Sequence, residues 1–355
     1  MRVIHAVQLD TGDLPEGLPL EPSVCALGTF DGVHLGHQAV LNAAREQARA
    51  LSLQAVVFSF QGHPQHVLSQ TPVPLLSSLE ERLALFQSMG FDVAVVPAFT
   101  PQLMKVSAAH FVSDILVSQL NVRHVVVGYD FHFGLHRQGD GALLKALGSQ
   151  SNPPFKTTIM QPVTLADHQI ISSTQIRKLL QYGDVTQAAA LLGRPYDISG
   201  VLTTGYGRAS QLGFPTANIT PDAQRLMPAV GVYMGYLQLL EPNRPAQSGF
   251  KLSSSPVLNP LEPWPAVCNI GFSPTVLLGS DRPSAPRLEV HALLAQGQVF
   301  PKLPQGSLLS FSFLRRLRDE QKFESLEALI AQIGLDCDHA RDAFHQLMTS
   351  KVDSF

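Results

Sequence analysis

The chain has 355 residues, 45% of them hydrophobic and 15% charged, with a formal net charge of −3. That length points to two domains, the apolar share is ample for buried cores, and the near-balanced charge excludes a nucleic-acid partner held mainly by electrostatics. No run of about 18 apolar residues occurs, so no segment is expected to cross a membrane. Cys25, Cys268 and Cys337 are scattered and odd in number, which argues against a disulfide framework or a zinc site and fits a reducing, cytoplasmic setting. The first 13 residues hold no apolar run preceded by basic residues, so no secretion signal is expected.

From residue 24 to about 192, short apolar runs alternate with helix-like segments. The spacing predicts strands over 24–27, 54–60, 93–97, 124–127 and 156–161, and helices over 37–51, 79–89, 108–119 and 142–147. Such alternation implies a doubly wound parallel sheet, with ligands at the carboxyl ends of its strands. At Gly193-Arg194-Pro195 the texture changes. Strand-like runs over 198–203, 230–239, 266–270, 288–294 and 308–313 follow, broken by Gly and Pro, and read as an antiparallel barrel or sandwich. Residues 241–263, rich in Pro and Ser, read as a long exposed loop. Leu326, Leu329, Ile330 and Ile333 then restore helical spacing within 325–348. Domains over 1–192 and 193–355 follow, and no internal repeat is present.

The first strand leads into Gly28-Thr29-Phe30-Asp31-Gly32-Val33-His34-Leu35-Gly36-His37 and then a helix. A Gly-rich turn at a helix start aims backbone N–H groups at one spot, which suits phosphate. The turn lacks the Lys-Ser/Thr of a P-loop and the third glycine of a dinucleotide fingerprint. Its His-x-Gly-His pattern is similar to that of nucleotidylyltransferases. Such chemistry requires two phosphate groups held in line and their charge offset, so His34 and His37 read as phosphate contacts rather than bases or nucleophiles. Two further segments fall at strand or helix ends. Gly128-Tyr129-Asp130-Phe131-His132-Phe133-Gly134 follows the fourth strand. In Ile171-Ser172-Ser173-Thr174-Gln175-Ile176-Arg177, hydroxyls sit at a helix start with Arg177 in its first turn. Ser173 and Thr174 can cap that helix or bind phosphate, and Arg177 offers a planar fork.

In the second half, a flap with Gly205, Gly207, Arg208 and Gly213 precedes Pro215-Thr216-Ala217-Asn218. Glycines let backbone wrap phosphates. Thr216 and Asn218 share a face if extended, and two neutral oxygen ligands suit Mg²⁺. Glu289, in an otherwise apolar strand, is a candidate general base, although strand alternation alone reads it as solvent-facing.

Together these segments, with Gly231 to Tyr233, Asn269 to Thr275 and Arg318 to Leu329, make the chain resemble the bifunctional bacterial riboflavin kinase/FMN adenylyltransferase family, the FAD synthetases, over about 24–341. The resemblance implies a C-terminal riboflavin-kinase-like β-barrel with a terminal helix. There Glu289 would take the proton from the riboflavin hydroxyl, Thr216 and Asn218 would hold Mg²⁺ and ATP, and the 205–213 flap would cover the phosphates. It implies an N-terminal nucleotidylyltransferase domain that makes FAD and pyrophosphate from FMN and ATP. In that domain Gly28, Phe30, Asp31, Gly36, His34 and His37 would line the ATP phosphates, Asp130 the nucleotide and flavin site, and Ser173, Thr174 and Arg177 the triphosphate pocket. Gly62 replaces a usual proline, Ala209-Ser210-Gln211 replaces the usual Gly-Arg-x, and 292–305 lacks the usual acidic stretch and Tyr-Gly. These departures define the alternative: FMN adenylyltransferase alone, with a catalytically silent flavin-binding C-terminal module.

Overall fold

A computed structural model of the chain describes residues 1–7, 14–68, 72–165, 169–203, 216–240, 262–271, 287–295, 298, 300–301 and 303–352. It packs as two compact units, Met1–Ser173 and Thr174–Phe355.

The first unit is built on a six-stranded parallel sheet in the order β1-β4-β3-β2-β5-β8. Its strands are β1 (Arg2–Ile4), β2 (Ser23–Leu27), β3 (Gln54–Phe58), β4 (Val93–Val95), β5 (Val122–Gly128) and β8 (Lys156–Met160). Every residue of β2 is buried, because helices cover both faces. Val24 and Ala26 pack under Val40, Leu41, Ala44 and Ala48 of α1 (Leu35–Leu51). Cys25 and Leu27 face the opposite way, against Phe111, Val112, Ile115 and Leu116. The chain runs outward from β2 through β3 and β4 on one side, and through β5 and β8 on the other. The switch point therefore lies between β2 and β5, where an open parallel sheet leaves a crevice.

Three findings add to or alter the sequence expectation. β1 pairs with β4 at the sheet edge, a three-residue strand too short to show a period. The helix expected over 108–119 is α-helical only at Ala108–His110 and continues as a π-helix over Phe111–Gln119. The small antiparallel pair β6 (His132–Phe133) and β7 (Gly139–Asp140) follows β5. Helices α2 (Gln65–Leu68), α3 (Leu79–Ser88), α4 (Pro101–Met104) and α6 (Gly141–Gln150) complete the connections, with α5 the short Ala108–His110 turn. α3 starts in a full capping box, Ser78 with Glu81.

The second unit resolves the barrel-or-sandwich choice in favour of a barrel. Antiparallel strands close in the order β10-β13-β12-β11-β14-β9, which leaves no exposed sheet edge. They are β9 (Tyr196–Thr203), β10 (Thr216–Pro221), β11 (Gly231–Leu240), β12 (Trp264–Gly271), β13 (Arg287–Ala292) and β14 (Leu308–Arg318). Phe313 lies among Tyr196, Tyr233 and Phe311 at ring-centroid distances of 6.2, 5.3 and 4.8 Å. Helices α7 (Ser173–Tyr182) and α8 (Val185–Leu192) belong by packing with the barrel: Thr186 donates to Leu314 O and Ala229 N to Leu180 O. The terminal helix α9 (Leu326–Val352) lays Ile333, Cys337, Ala340 and Phe344 over Val232, Met234, Tyr236 and Val267. A forked ion pair, Arg318 to Asp336 at 2.7–3.1 Å, pins it to β14. Most of the loop expected over 241–263 lies outside the described residues.

Candidate active sites

In the first unit, the 28–37 turn follows β2 and the 128–134 segment follows its neighbour β5, so both flank the switch point. The turn is tightly wound. Gly32 adopts φ 81°, and Phe30 and Val33 are forced to φ 52° and 42°, a region costly for bulky and β-branched side chains. Gly28 is required by contact: a Cβ there would stand 2.8 Å from the Phe30 ring.

What holds this strained turn is buried Asp31, 3% exposed. Its carboxylate accepts from Leu76 N at 3.0 and 3.1 Å, Ser77 N at 3.0 Å and Ser77 Oγ at 3.2 Å, and Gly32 N donates to Ser77 Oγ at 2.8 Å. The side chain expected among the phosphate contacts thus braces the loop from beneath.

His34 is the N-cap of α1. Its Nδ1 accepts from His37 N at 3.3 Å, which leaves the proton of the neutral ring on Nε2. The two imidazoles stack at 3.6 Å between centroids, and the Phe30 ring meets His37 edge-on at 5.4 Å. A Cβ at Gly36 would lie 3.1 Å from the His34 ring, so the glycine gives that ring its place. Ser173 Oγ donates to Asp31 O at 3.0 Å and brings the 171–173 segment to the turn. Thr174, exposed, and Arg177, half-buried, follow on α7. Asp130 is exposed, folds its carboxylate back toward Gly128, and accepts at its backbone O from His132. The Phe131 and Phe133 rings stack at 5.6 Å, and Phe133 joins the core.

Sequence reasoning missed Arg82 and Ser59. Arg82 reads as one charge among Glu80 and Glu81 at a helix start, yet it is 1% exposed and bonded to the backbone of the turn. Only the apolar neighbours at i+1 and i+4, Leu83 and Phe86, hint that this helix face turns inward.

In the second unit, Glu289 lies directly opposite Asn218 on β10 and Asn269 on β12. One outward row therefore reads Asn218, Glu289, Asn269, while Leu288 and Val290 point into the barrel. Thr216 stands opposite His291 in the next row. The solvent-facing expectation for Glu289 holds, and it leaves the carboxyl open as a candidate base. Although the side chain is exposed, protein packed around it pushes its carboxyl above the ordinary carboxylate range; Arg287 pulls it down and Glu320 pushes it up. Glu320 is close by because Gly271 carries no side chain: a Cβ there would stand 2.5 Å from Glu320 Oε1 and 3.1 Å from Asn269 Nδ2. Thr216 and Asn218 are half-buried in β10, where the extended backbone puts both on one face. Gly205, Gly207, Arg208, Gly213 and Pro215 lie outside the described residues.

Among the described residues, no helix is long and apolar enough to cross a membrane. A solved structure from Streptococcus pneumoniae, titled a macrolide-efflux protein, matches with a TM-score of 0.77 at 24% identity, covering 96% of this chain and 99% of its own; that likeness carries the fold alone. A family model described as FAD synthetase matches residues 19–175, and one described as riboflavin kinase matches 192–344. The bifunctional riboflavin kinase/FMN adenylyltransferase of Bacillus subtilis is 33% identical over 327 residues, 92% of this chain and 93% of that protein. The enzyme of the same name from Pseudomonas fluorescens is 38% identical over 318 residues, 90% of this chain and 92% of its own. With both halves matched and the relatives spanned almost end to end, this chain belongs to the bifunctional riboflavin kinase/FMN adenylyltransferase family.

Proposed function

We infer that this chain carries out two consecutive ATP-dependent steps: phosphorylation of riboflavin to FMN, and transfer of AMP to FMN to give FAD and pyrophosphate. The observation that carries this reading is that one chain holds both constellations, each on the fold its chemistry requires, and is matched by both family models. We assign adenylyl transfer to residues 1–192 and phosphorylation to 193–355.

In the first reaction, the 5′-hydroxyl oxygen of riboflavin attacks the γ-phosphorus of ATP. The bond to the bridging oxygen breaks, ADP departs, and Glu289 takes the hydroxyl proton. Its raised pKa makes it a stronger base than an ordinary carboxylate. The amides of Asn218 and Asn269 beside it are polar without adding charge. Thr216 and Asn218 form a hard, neutral oxygen pair on one face of β10, which suits Mg²⁺, a cation that takes few protein ligands and leans on substrate phosphates. Bound there, Mg²⁺ would neutralise charge on the ATP phosphates.

In the second reaction, a phosphate oxygen of FMN attacks the α-phosphorus of ATP and pyrophosphate leaves. No proton need be removed from the nucleophile, so the protein's task is alignment and charge compensation. His34, capping α1 through Nδ1 and carrying the N–H of its neutral ring on Nε2, can donate to phosphate; His37, stacked on it, and the α1 N-terminus add to the same field. Ser173, bonded to Asp31 O, extends it toward the triphosphate. Asp130 stands at the other loop of the crevice, where we place the nucleotide and flavin. The cysteines are free and buried, which supports placing the enzyme in a reducing cytoplasm.

Supplying FMN and ATP alone tests adenylyl transfer, with FAD and pyrophosphate expected in equal amounts. Supplying riboflavin tests the kinase. FAD from FMN, with no FMN from riboflavin, would favour the silent-module alternative.

A further inference from the structure

Arg82 belongs to neither motif. It sits on α3, its side chain is among the most deeply buried of the chain, and its guanidinium is bonded in four directions. Nη1 donates to Thr29 O at 3.1 Å, Ser59 Oγ at 3.1 Å and Phe60 O at 2.9 Å, and Nη2 donates to Gln61 O at 2.8 Å. Ser59 Oγ in turn donates to Thr29 O at 2.8 Å. These acceptors are three backbone carbonyls and a hydroxyl. Burying a cation is costly, and a site needing only stability is filled as well or better by an apolar side chain. The planar fork reaches what no apolar residue can: the chain leaving β2 and the chain leaving β3, at the carboxyl ends of adjacent parallel strands.

Thr29 immediately precedes Phe30, the strained residue whose ring meets His37 at 5.4 Å. A hydrogen bond, a peptide bond and a ring contact thus join Arg82 to His37. The same short stretch of chain grips the turn a second time, since Leu76 and Ser77 hold Asp31. Residues 76–82 therefore fix the turn at both Thr29 and Asp31, on either side of Phe30.

We propose that Arg82 is a positioning residue for adenylyl transfer: it locks the turn bearing His34 and His37 to the segment leaving β3, and so sets the histidines for the departing pyrophosphate without touching substrate. The proposal rests on the adenylyltransferase reading of the first unit.

The test uses the full chain and three readouts: FAD formation from FMN, FMN formation from riboflavin, and thermal unfolding. Arg82→Lys keeps the charge but not the fork, and Ser59→Ala removes only the shared hydroxyl. A misplaced contact costs transition-state stabilisation. Arg82→Lys is therefore expected to lower kcat for FAD formation by about 10- to 100-fold while the KM values for ATP and FMN move less than about threefold. Ser59→Ala should lose about 3- to 10-fold in the same parameter while the unfolding midpoint falls by no more than about 4 °C, the cost of one buried hydrogen bond. Riboflavin phosphorylation should be unaffected in both. Wild-type kcat in folded Arg82→Lys overturns the proposal, as does a loss that only tracks the fraction unfolded. If Arg82→Lys fails to fold, Ser59→Ala decides: a fall in kcat upholds the proposal and wild-type kcat overturns it. No FAD from the unsubstituted chain is a different result, which overturns the adenylyltransferase reading and this proposal with it.

Discussion

Asp31→Asn separates a brace from a substrate contact. The carboxylate accepts from Leu76 N at 3.0 and 3.1 Å, Ser77 N at 3.0 Å and Ser77 Oγ at 3.2 Å. In the asparagine variant, an amide oxygen in the position of Oδ1 keeps three of these donors but loses the charge. The new amino group then faces Leu76 N, donor against donor. Bonds to a charged acceptor are worth about 1 kcal/mol more than neutral ones, so three weakened bonds come to about 3 kcal/mol. For a unit of this size that is a fall of about 6–12 °C in unfolding midpoint. Calorimetry follows both units. The sole tryptophan, Trp264, lies in the second unit, so its fluorescence serves as an internal control that should not move. Below the new midpoint, kcat for FAD formation should fall by no more than about tenfold, because the turn keeps its second grip at Thr29. A loss of about 100-fold with no change in midpoint would refute the brace and return Asp31 to the phosphate contacts.

Glu289→Gln should lower riboflavin phosphorylation by about 10²- to 10⁴-fold and spare FMN adenylylation, read as FMN and FAD in separate assays. His37→Ala should do the reverse, with FAD formation down by about 10²- to 10³-fold. Since Glu289 works deprotonated, phosphorylation should be lost as pH falls through its raised pKa, giving an acid limb above the ordinary carboxylate range. Glu320→Gln should shift that limb down and Arg287→Gln up, which a pH–rate profile checks. Arg318→Ala takes the cation from the Asp336 carboxylate, 5% exposed, leaving it the Gln332 amide, and should destabilise the second unit by about 3 kcal/mol, seen as an earlier Trp264 transition.

The doubly wound sheet was legible because its central strands are unbroken apolar runs between amphipathic helices, and β2 to β5 appear within a few residues of their expected bounds. What escaped has local causes. β1 is only Arg2-Val3-Ile4. β10 carries Thr216, Asn218 and Thr220 on its outward face, so its polarity resembles a turn, although the inference that Thr216 and Asn218 share a face carries over to the strand. The π-helix at Phe111–Gln119 keeps the same apolar texture as an α-helix. The candidate site residues were chosen by type and motif, which carry no information on their division of labour. Asp31 looks like a ligand residue in sequence, and only its distance to Leu76 and Ser77 shows it turned beneath the loop. Arg82 looks like surface charge, because its acceptors are backbone carbonyls that leave no trace in sequence. The Asn218, Glu289, Asn269 row depends on the register of three strands far apart in the chain.

The most direct test is a chromatographic time course of flavins after mixing the purified chain with riboflavin, ATP and Mg²⁺ alone. FMN should rise first and FAD follow at its expense, with phosphorylation silenced by Glu289→Gln and adenylylation by His37→Ala. Riboflavin left unchanged would contradict the two-step activity.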